Sequence, residues 1–220
     1  MDSGVEYLFK KPSPPKDYPP SYERIWARNA ETLVKLVGRE NALIVVPDYP
    51  DDYTEVWGRP HALWDGSKDN IERTLENIVY YFDKYREKYR LLIPIQGHHD
   101  EPESIRKSLK LLYKHGIIQE HDYFAVAPTC VTRKVDVIEK MLRITRSYLA
   151  SKKIHVFGVT LIALKRIASM IDSFDSSVAD TRRRKWWRYL NARDDKDFFT
   201  KYVEKINSII AKSTSSLLLS

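Results

Sequence analysis

Ile154-His-Val-Phe-Gly158, followed one helix-length later by Ile171-Asp-Ser-Phe-Asp-Ser176, is the stretch on which the fold reading turns. An apolar run ends at a glycine, a helical segment follows, and a second short extended run ends at Asp175. That is the spacing of two successive parallel strands joined by one crossover helix. In such sheets functional residues gather at the carboxyl ends of the strands. Asp175 stands at such an end with no basic residue in its own strand, so its carboxylate is a candidate nucleophile.

The same pattern continues upstream. Ala42-Leu-Ile-Val-Val-Pro47, Leu91-Leu-Ile-Pro-Ile95 and Tyr123-Phe-Ala-Val-Ala127 are apolar runs typical of strands buried on both faces. Helices are expected over 22–37, 68–89, Pro102 to Gly116, 134–150 and 161–169. The first carries Ile25, Leu33, Leu36 and Val37 at partly helical spacing, and the second has Ile71, Leu75, Ile78, Phe82 and Tyr85 on one face. The fourth should turn Ile138, Met141, Leu142, Thr145 and Leu149 inward. Five strands alternating with helices argue for an α/β fold, and burial of both faces favours a (β/α) barrel over an open sheet. A full barrel has eight strands, so the barrel is incomplete or irregular segments fill the gaps. Residues 1–180 read as this barrel, and 181–220 as a basic helical segment packed on it. Residues 10–20 hold five of the eleven prolines and read as a loop or polyproline segment long enough to cover a site.

With 43% hydrophobic residues in 220, one domain with a substantial core is expected. The single cysteine, Cys130, excludes an internal disulfide and a cysteine-rich zinc site, and reads as a small packing residue. No apolar run approaches the roughly 18 residues of a membrane span, and the first residues lack a signal-peptide pattern. The expectation is a soluble cytoplasmic protein with no membrane partner. Residues 181–220 carry ten of the Lys/Arg and four of the acids, so most of the +7 net charge is C-terminal. Arg182-Arg183-Arg184-Lys185-Trp186-Trp187-Arg188 interleaves cations with large aromatics, the mixture that phosphate neutralisation and base stacking require. It is the candidate nucleic-acid-binding segment, with a solvated helix face as its plain alternative.

Read in order, Asp2-Ser3-Gly4, Val46-Pro-Asp48, Ile95-Gln96-Gly97, His155-Val-Phe-Gly158-Val159 and Ile171-Asp-Ser-Phe-Asp175-Ser176 resemble motifs of the tRNA-guanine transglycosylase superfamily. That family exchanges a guanine in nucleic acid for a 7-deazaguanine base on a TIM barrel. The resemblance runs from Asp2 to about Ser176. It implies Asp175 as the catalytic nucleophile and Asp2 as the acid–base partner. It implies a base pocket of Asp48, Gln96, Gly97, Ala127 and Gly158. Ala125-Val-Ala127-Pro-Thr-Cys130 with Arg133-Lys134 is closer to the DNA-modifying DpdA branch than to the tRNA enzymes. DNA is therefore favoured as substrate, with tRNA the other choice, and a free guanine or 7-deazaguanine base is the second partner. The family's zinc cluster of three cysteines and a histidine is absent, so neither metal nor cofactor is carried over. The motif order begins at Asp2, which implies a barrel without the family's first strands.

The chemistry asks for few parts. A carboxylate attacks the anomeric carbon, leaving a glycosyl ester, and a second group protonates the departing base. Two carboxylates share these roles in retaining glycosidases. Asp48 can accept from the N–H groups of a guanine-like edge, and Gln96 can both donate and accept. Each residue also has a purely structural reading. Asp48 could cap a turn between Pro47 and Pro50, Asp175 could cap the following helix, and Gln96-Gly97 could be an ordinary strand exit. Asp172 is a rival nucleophile on the opposite face of the strand. Tyr80, Tyr81, Phe82 and Tyr85 read as packing rather than stacking platforms, and His98-His99-Asp100 lacks a second cluster at ligand spacing. A binding module that kept the nucleic-acid surface without turnover is the main alternative, and a metal-dependent hydrolase on the same barrel is a weaker third.

Overall fold

A computed structural model describes residues 1, 17–50, 69–130, 132, 134–176 and 188–217. Its order is α1 (Tyr22–Val37), β1 (Leu43–Val45), α2 (Asn70–Tyr85), β2 (Arg90–Ile95), α3 (Ile105–Lys114), α4 (Ile117–Glu120), β3 (Tyr123–Val126), α5 (Val135–Tyr148), β4 (Lys153–Val156), α6 (Leu161–Ile167), β5 (Ser173–Phe174) and α7 (Asp195–Leu217). The five strands form one parallel sheet in sequential order, curled as a half-barrel.

Sequential order decides where the helices go. Each crossover steps to the next strand in the same direction, and right-handed crossovers without reversal place every helix on one face. Burial agrees. Ile44, Leu91, Ile93, Ile95, Phe124, Val126, Ile154 and Val156 share one core with Ile78, Phe82, Leu109, Leu112, Met141, Leu142 and Leu164 of the helices. The alternate residues Val45, Leu92, Tyr123 and Ala125 form a separate small core on the inner face, joined by Leu43 and Phe157. Both faces are therefore covered, as the uninterrupted apolar runs required.

Local chemistry sets the helix ends. Asp69 caps α2 by accepting from the Ile71 N–H at 2.8 Å, and Thr160 caps α6 through Ala163. Pro102 opens a short 3₁₀ turn leading into α3, and Gly116 at φ +75° closes that segment. On the outer edge of β1, Met1 N donates to Leu43 O at 2.5 Å and Val45 N to Met1 O at 3.0 Å, the pairing of a parallel ladder.

The inward faces expected for α2 and α5 are the observed ones, with Ile71, Ile78, Phe82, Ile138, Met141, Leu142, Thr145 and Leu149 buried. In α1 the partly helical spacing of the aliphatic residues does not mark the buried face. Trp26 and Ala30 are buried, whereas Ile25, Leu36 and Val37 are exposed. The Trp26 indole donates to Val45 O at 3.0 Å and meets Tyr81, Tyr85 and Tyr89, so the largest apolar side chain sets the helix rotation. Tyr81 and Phe82 are core, and the Tyr80 and Tyr85 hydroxyls donate to Glu23. The C-terminal helix α7 packs on α6 and the 3₁₀ turn Ala168–Met170, burying Phe198, Tyr202 and Ile209. Among the described residues no helix is long and apolar enough to cross a membrane.

Candidate active site at the carboxyl ends of the strands

Because the sheet is parallel, the segments that follow its strands leave from one edge. Asp48, Gln96, Gly97, Ala127, Gly158 and Asp175 all sit on that edge. Asp48 belongs to a segment pinned to α2, where Asn77 donates to Pro47 O and Tyr49 N donates to Thr74 Oγ1 at 2.9 Å. The Tyr18 hydroxyl donates to the Asp48 carbonyl, and the Asp48 residue is partly buried.

Gln96 is fully buried, and its Nε2 donates to the neighbouring Gly97 O at 3.0 Å. Among the described residues its Oε1, also buried, has no hydrogen-bond partner. Rotating the amide by half a turn leaves the nitrogen without a partner and sets Oε1 against the Gly97 carbonyl oxygen, so the deficit stays. An orphaned amide end costs about 1–3 kcal/mol. Gly97 has a packing reason of its own, since a Cβ there would meet Ile105 Cγ1 at 2.9 Å and Ser104 Oγ at 3.0 Å. Ala127 begins a buried 3₁₀ turn, Ala127–Cys130, in which Thr129 Oγ1 donates to Val126 O and Phe157 O, tying the ends of β3 and β4 together. Cys130, expected inside, is exposed at the end of this turn. The turn buries Ala127, Pro128 and Thr129 and leaves the next side chain outside.

Gly158 and Asp175 are in direct contact. The Gly158 N–H donates to Asp175 Oδ1 at 2.6 Å, and Val159 N donates to Asp175 O at 2.9 Å. Gly158 has φ +66°, and its missing Cβ leaves room for Cys130 Cα, which a methyl would meet at 2.8 Å. Asp175 Oδ2 faces His155 Nε2 at 3.6 Å, an electrostatic contact rather than a hydrogen bond. Partial desolvation pushes the Asp175 carboxyl up, but the His155 imidazole and the Gly158 N–H outweigh it and hold the carboxyl below the usual carboxylate range. The side chain stays 57% exposed, so the group is an anchored, ionised and accessible carboxylate.

Behind it, His155 Nδ1 lies 2.7 Å from Ser173 Oγ, and Ser173 Oγ lies 2.5 Å from the Tyr123 hydroxyl. None of these three was singled out for a role from the sequence. The signal was present as alternation: His155 of β4, Ser173 of β5 and Asp175 just beyond it share the inner face, and the register pairs His155 with Ser173. The rival Asp172 points the other way. It accepts from Arg146 Nη2 at 2.7 Å and Ile154 N at 2.8 Å, a structural clamp between β5, β4 and α5.

The remaining expected residues divide. Asp2 and the segment Arg182, Arg183, Arg184, Lys185, Trp186 and Trp187 lie outside the described residues, while Arg188 is exposed. His98 faces Asp69 at 3.7 Å and His99 faces Asp100 at 3.6 Å, and Lys107 and Lys134 pair with those same carboxylates. Among the described residues no group of three or more His, Cys, Asp or Glu is placed to hold a metal ion. A scan against known protein families and a search of curated proteins found no match to this chain.

Proposed function

We propose that the chain is a base-exchange transglycosylase. It replaces guanine in nucleic acid, DNA in preference to tRNA, by a 7-deazaguanine base through a covalent intermediate on Asp175. The observation that carries this reading is the state of Asp175: ionised, half-exposed and anchored through one oxygen at the carboxyl end of β5. A nucleophilic carboxylate has to be all three. In the first half-reaction an Asp175 oxygen bonds to the anomeric carbon, the bond from that carbon to the guanine nitrogen breaks, and its electron pair leaves with the base. A second acid protonates that nitrogen, and the sequence resemblance assigns this part to Asp2. Met1, the residue before it, is hydrogen-bonded along β1 in the same sheet. The incoming base then attacks the ester and reverses these steps.

Base recognition follows from unmet hydrogen bonding. The orphaned Gln96 amide end gains a partner when a purine edge arrives, and Asp48 accepts from the ring N–H and exocyclic amine. Ala127-Pro128 offers one backbone donor fewer than a step without proline, which shifts recognition of the base oxygen toward Gln96. The five sequential strands with helices outside are part of a TIM-like barrel in this reading, and the location is cytoplasmic. A second reading, a nucleic-acid-binding relative without turnover, draws on the 2.6 Å bond from Gly158 N to Asp175, which serves equally as a clip between two loops.

Radiolabelled guanine exchange into duplex DNA and tRNA, measured side by side, separates the two. Incorporation by the wild type that is lost in Asp175→Asn supports the enzyme. Tight nucleic-acid binding with no incorporation into either polymer supports the binder.

A further inference from the structure

On the inner face of β3, β4 and β5 four polar side chains stand in one line. Tyr123, Ser173, His155 and Asp175 follow one another at 2.5, 2.7 and 3.6 Å. The line runs from the interior, where Tyr123 is 8% exposed, to the open rim at Asp175.

Its hydrogens have a favoured order. An ionised carboxylate only accepts and repels a facing lone pair, so it favours the ring form with a hydrogen on Nε2. In a neutral ring Nδ1 then accepts from the Ser173 hydroxyl, whose oxygen in turn accepts from Tyr123. In that arrangement both hydrogen bonds run from Tyr123 toward the ring, and the ring N–H points toward Asp175. Such chains strengthen each successive donor. The order also argues against an acyl-transfer serine, because Ser173 lies at the inner side of the imidazole and the carboxylate at the outer side.

The two Asp175 oxygens are unequal. Oδ1 is gripped at 2.6 Å by the Gly158 N–H, whereas Oδ2 has the imidazole in front of it beyond hydrogen-bond length. Oδ2 thus keeps an uncommitted lone pair while its direction is set. We propose that Tyr123, Ser173 and His155 are positioning residues that present Oδ2 of Asp175 as the attacking oxygen. This rests on the reading of Asp175 as the nucleophile. When the bond from Oδ2 to the anomeric carbon forms and the bond to the base breaks, no proton moves along the line. The carboxylate becomes a neutral ester, the imidazole keeps its Nε2 hydrogen, and the base takes its proton from the second acid.

The test uses Tyr123→Phe and Ser173→Ala, with Ser173→Thr restoring the hydroxyl. ¹⁵N shifts of the His155 ring report the tautomer, ¹³C titration reports the Asp175 carboxyl, and exchange kinetics report turnover. In Tyr123→Phe and Ser173→Ala the ring shifts should move toward a mixture of tautomers and the Asp175 carboxyl should titrate higher. Turnover should fall roughly ten- to hundredfold, the scale of a misaimed reacting group, at unchanged KM. Ser173→Thr should recover all three. Ring shifts equal to wild type in both variants, a loss seen in KM alone, or a folded Ser173→Thr no better than Ser173→Ala would overturn the proposal. If Tyr123→Phe does not fold, the two Ser173 variants carry the test. A wild type that exchanges no base defeats the proposed function instead, and the ring shifts still decide whether the ordered line exists.

Discussion

Gly158 is where the fold and the proposed chemistry depend on the same atom. Its backbone lies at φ +66°, a conformation that costs an L-residue about 1–2 kcal/mol. A Cβ at that position would also meet Cys130 Cα at 2.8 Å and Cys130 Cβ at 3.1 Å. The nearer obstacle is backbone, in a turn that Thr129 holds to β3 and β4, so it cannot swing aside as a side chain would. Overpacking of this sort adds about 1–3 kcal/mol. Gly158→Ala should therefore cost roughly 2–5 kcal/mol, a large part of the stability of an ordinary domain. Gly116 supplies the control. It has φ +75°, but a Cβ there would meet nothing closer than Glu120 Oε1 at 3.8 Å. Gly116→Ala should carry the backbone term alone, about 1–2 kcal/mol. Urea unfolding of the two variants beside wild type measures the difference. Equal losses in both would refute the argument that Cys130 closes the space over Gly158, and no loss in either would refute the backbone argument as well.

Other perturbations read other parts of the account. Trp26→Phe removes the indole donor to Val45 O and loosens the cluster around Tyr81 and Tyr89, and equilibrium unfolding should show a loss of about 2–4 kcal/mol. Burial pushes His121, 2.9 Å from Leu91 O, below its ordinary value of 6.5, so the folded state binds this proton more weakly than the unfolded chain. Stability from this residue is present above pH 6.5 and is lost as the pH falls toward the folded imidazole's lowered value, with a slope approaching about 1.4 kcal/mol per pH unit. His121→Gln should flatten that slope in denaturant titrations across this window. Asp172→Ala should destabilise by roughly 1–2 kcal/mol in the same assay by releasing Arg146 and the Ile154 N–H, while base exchange by the folded fraction persists.

Much of this fold was legible because its signals are local. Apolar runs gave four strands and a short extended run the fifth, all close to their observed places, and Pro102 and Gly116 bracketed the α3 segment. The rotation of α1 was not legible. Its apolar positions do not outrank one another in a periodicity count, and the deciding term is one indole–carbonyl bond to a strand distant in sequence. The same division holds at the site. Asp175, Gly158 and Gln96 announce themselves at strand ends, and alternation explains why Asp172 turns away to Arg146. The line from Tyr123 to His155 was hidden because it joins three strands through their register, which no single segment encodes. The exposure of Cys130 likewise depends on the tight turn after β3.

The central claim is that Asp175 forms a covalent bond with a nucleic-acid sugar. The direct measurement is denaturing electrophoresis of end-labelled guanine-containing DNA and tRNA incubated with wild type, Asp172→Asn and Asp175→Asn, followed by peptide mass mapping of any protein-linked label. The account predicts a denaturation-stable complex with wild type and Asp172→Asn, its adduct mapping to Asp175, and none with Asp175→Asn. A complex that persists in Asp175→Asn, or no complex with either polymer from the folded wild type, would contradict it.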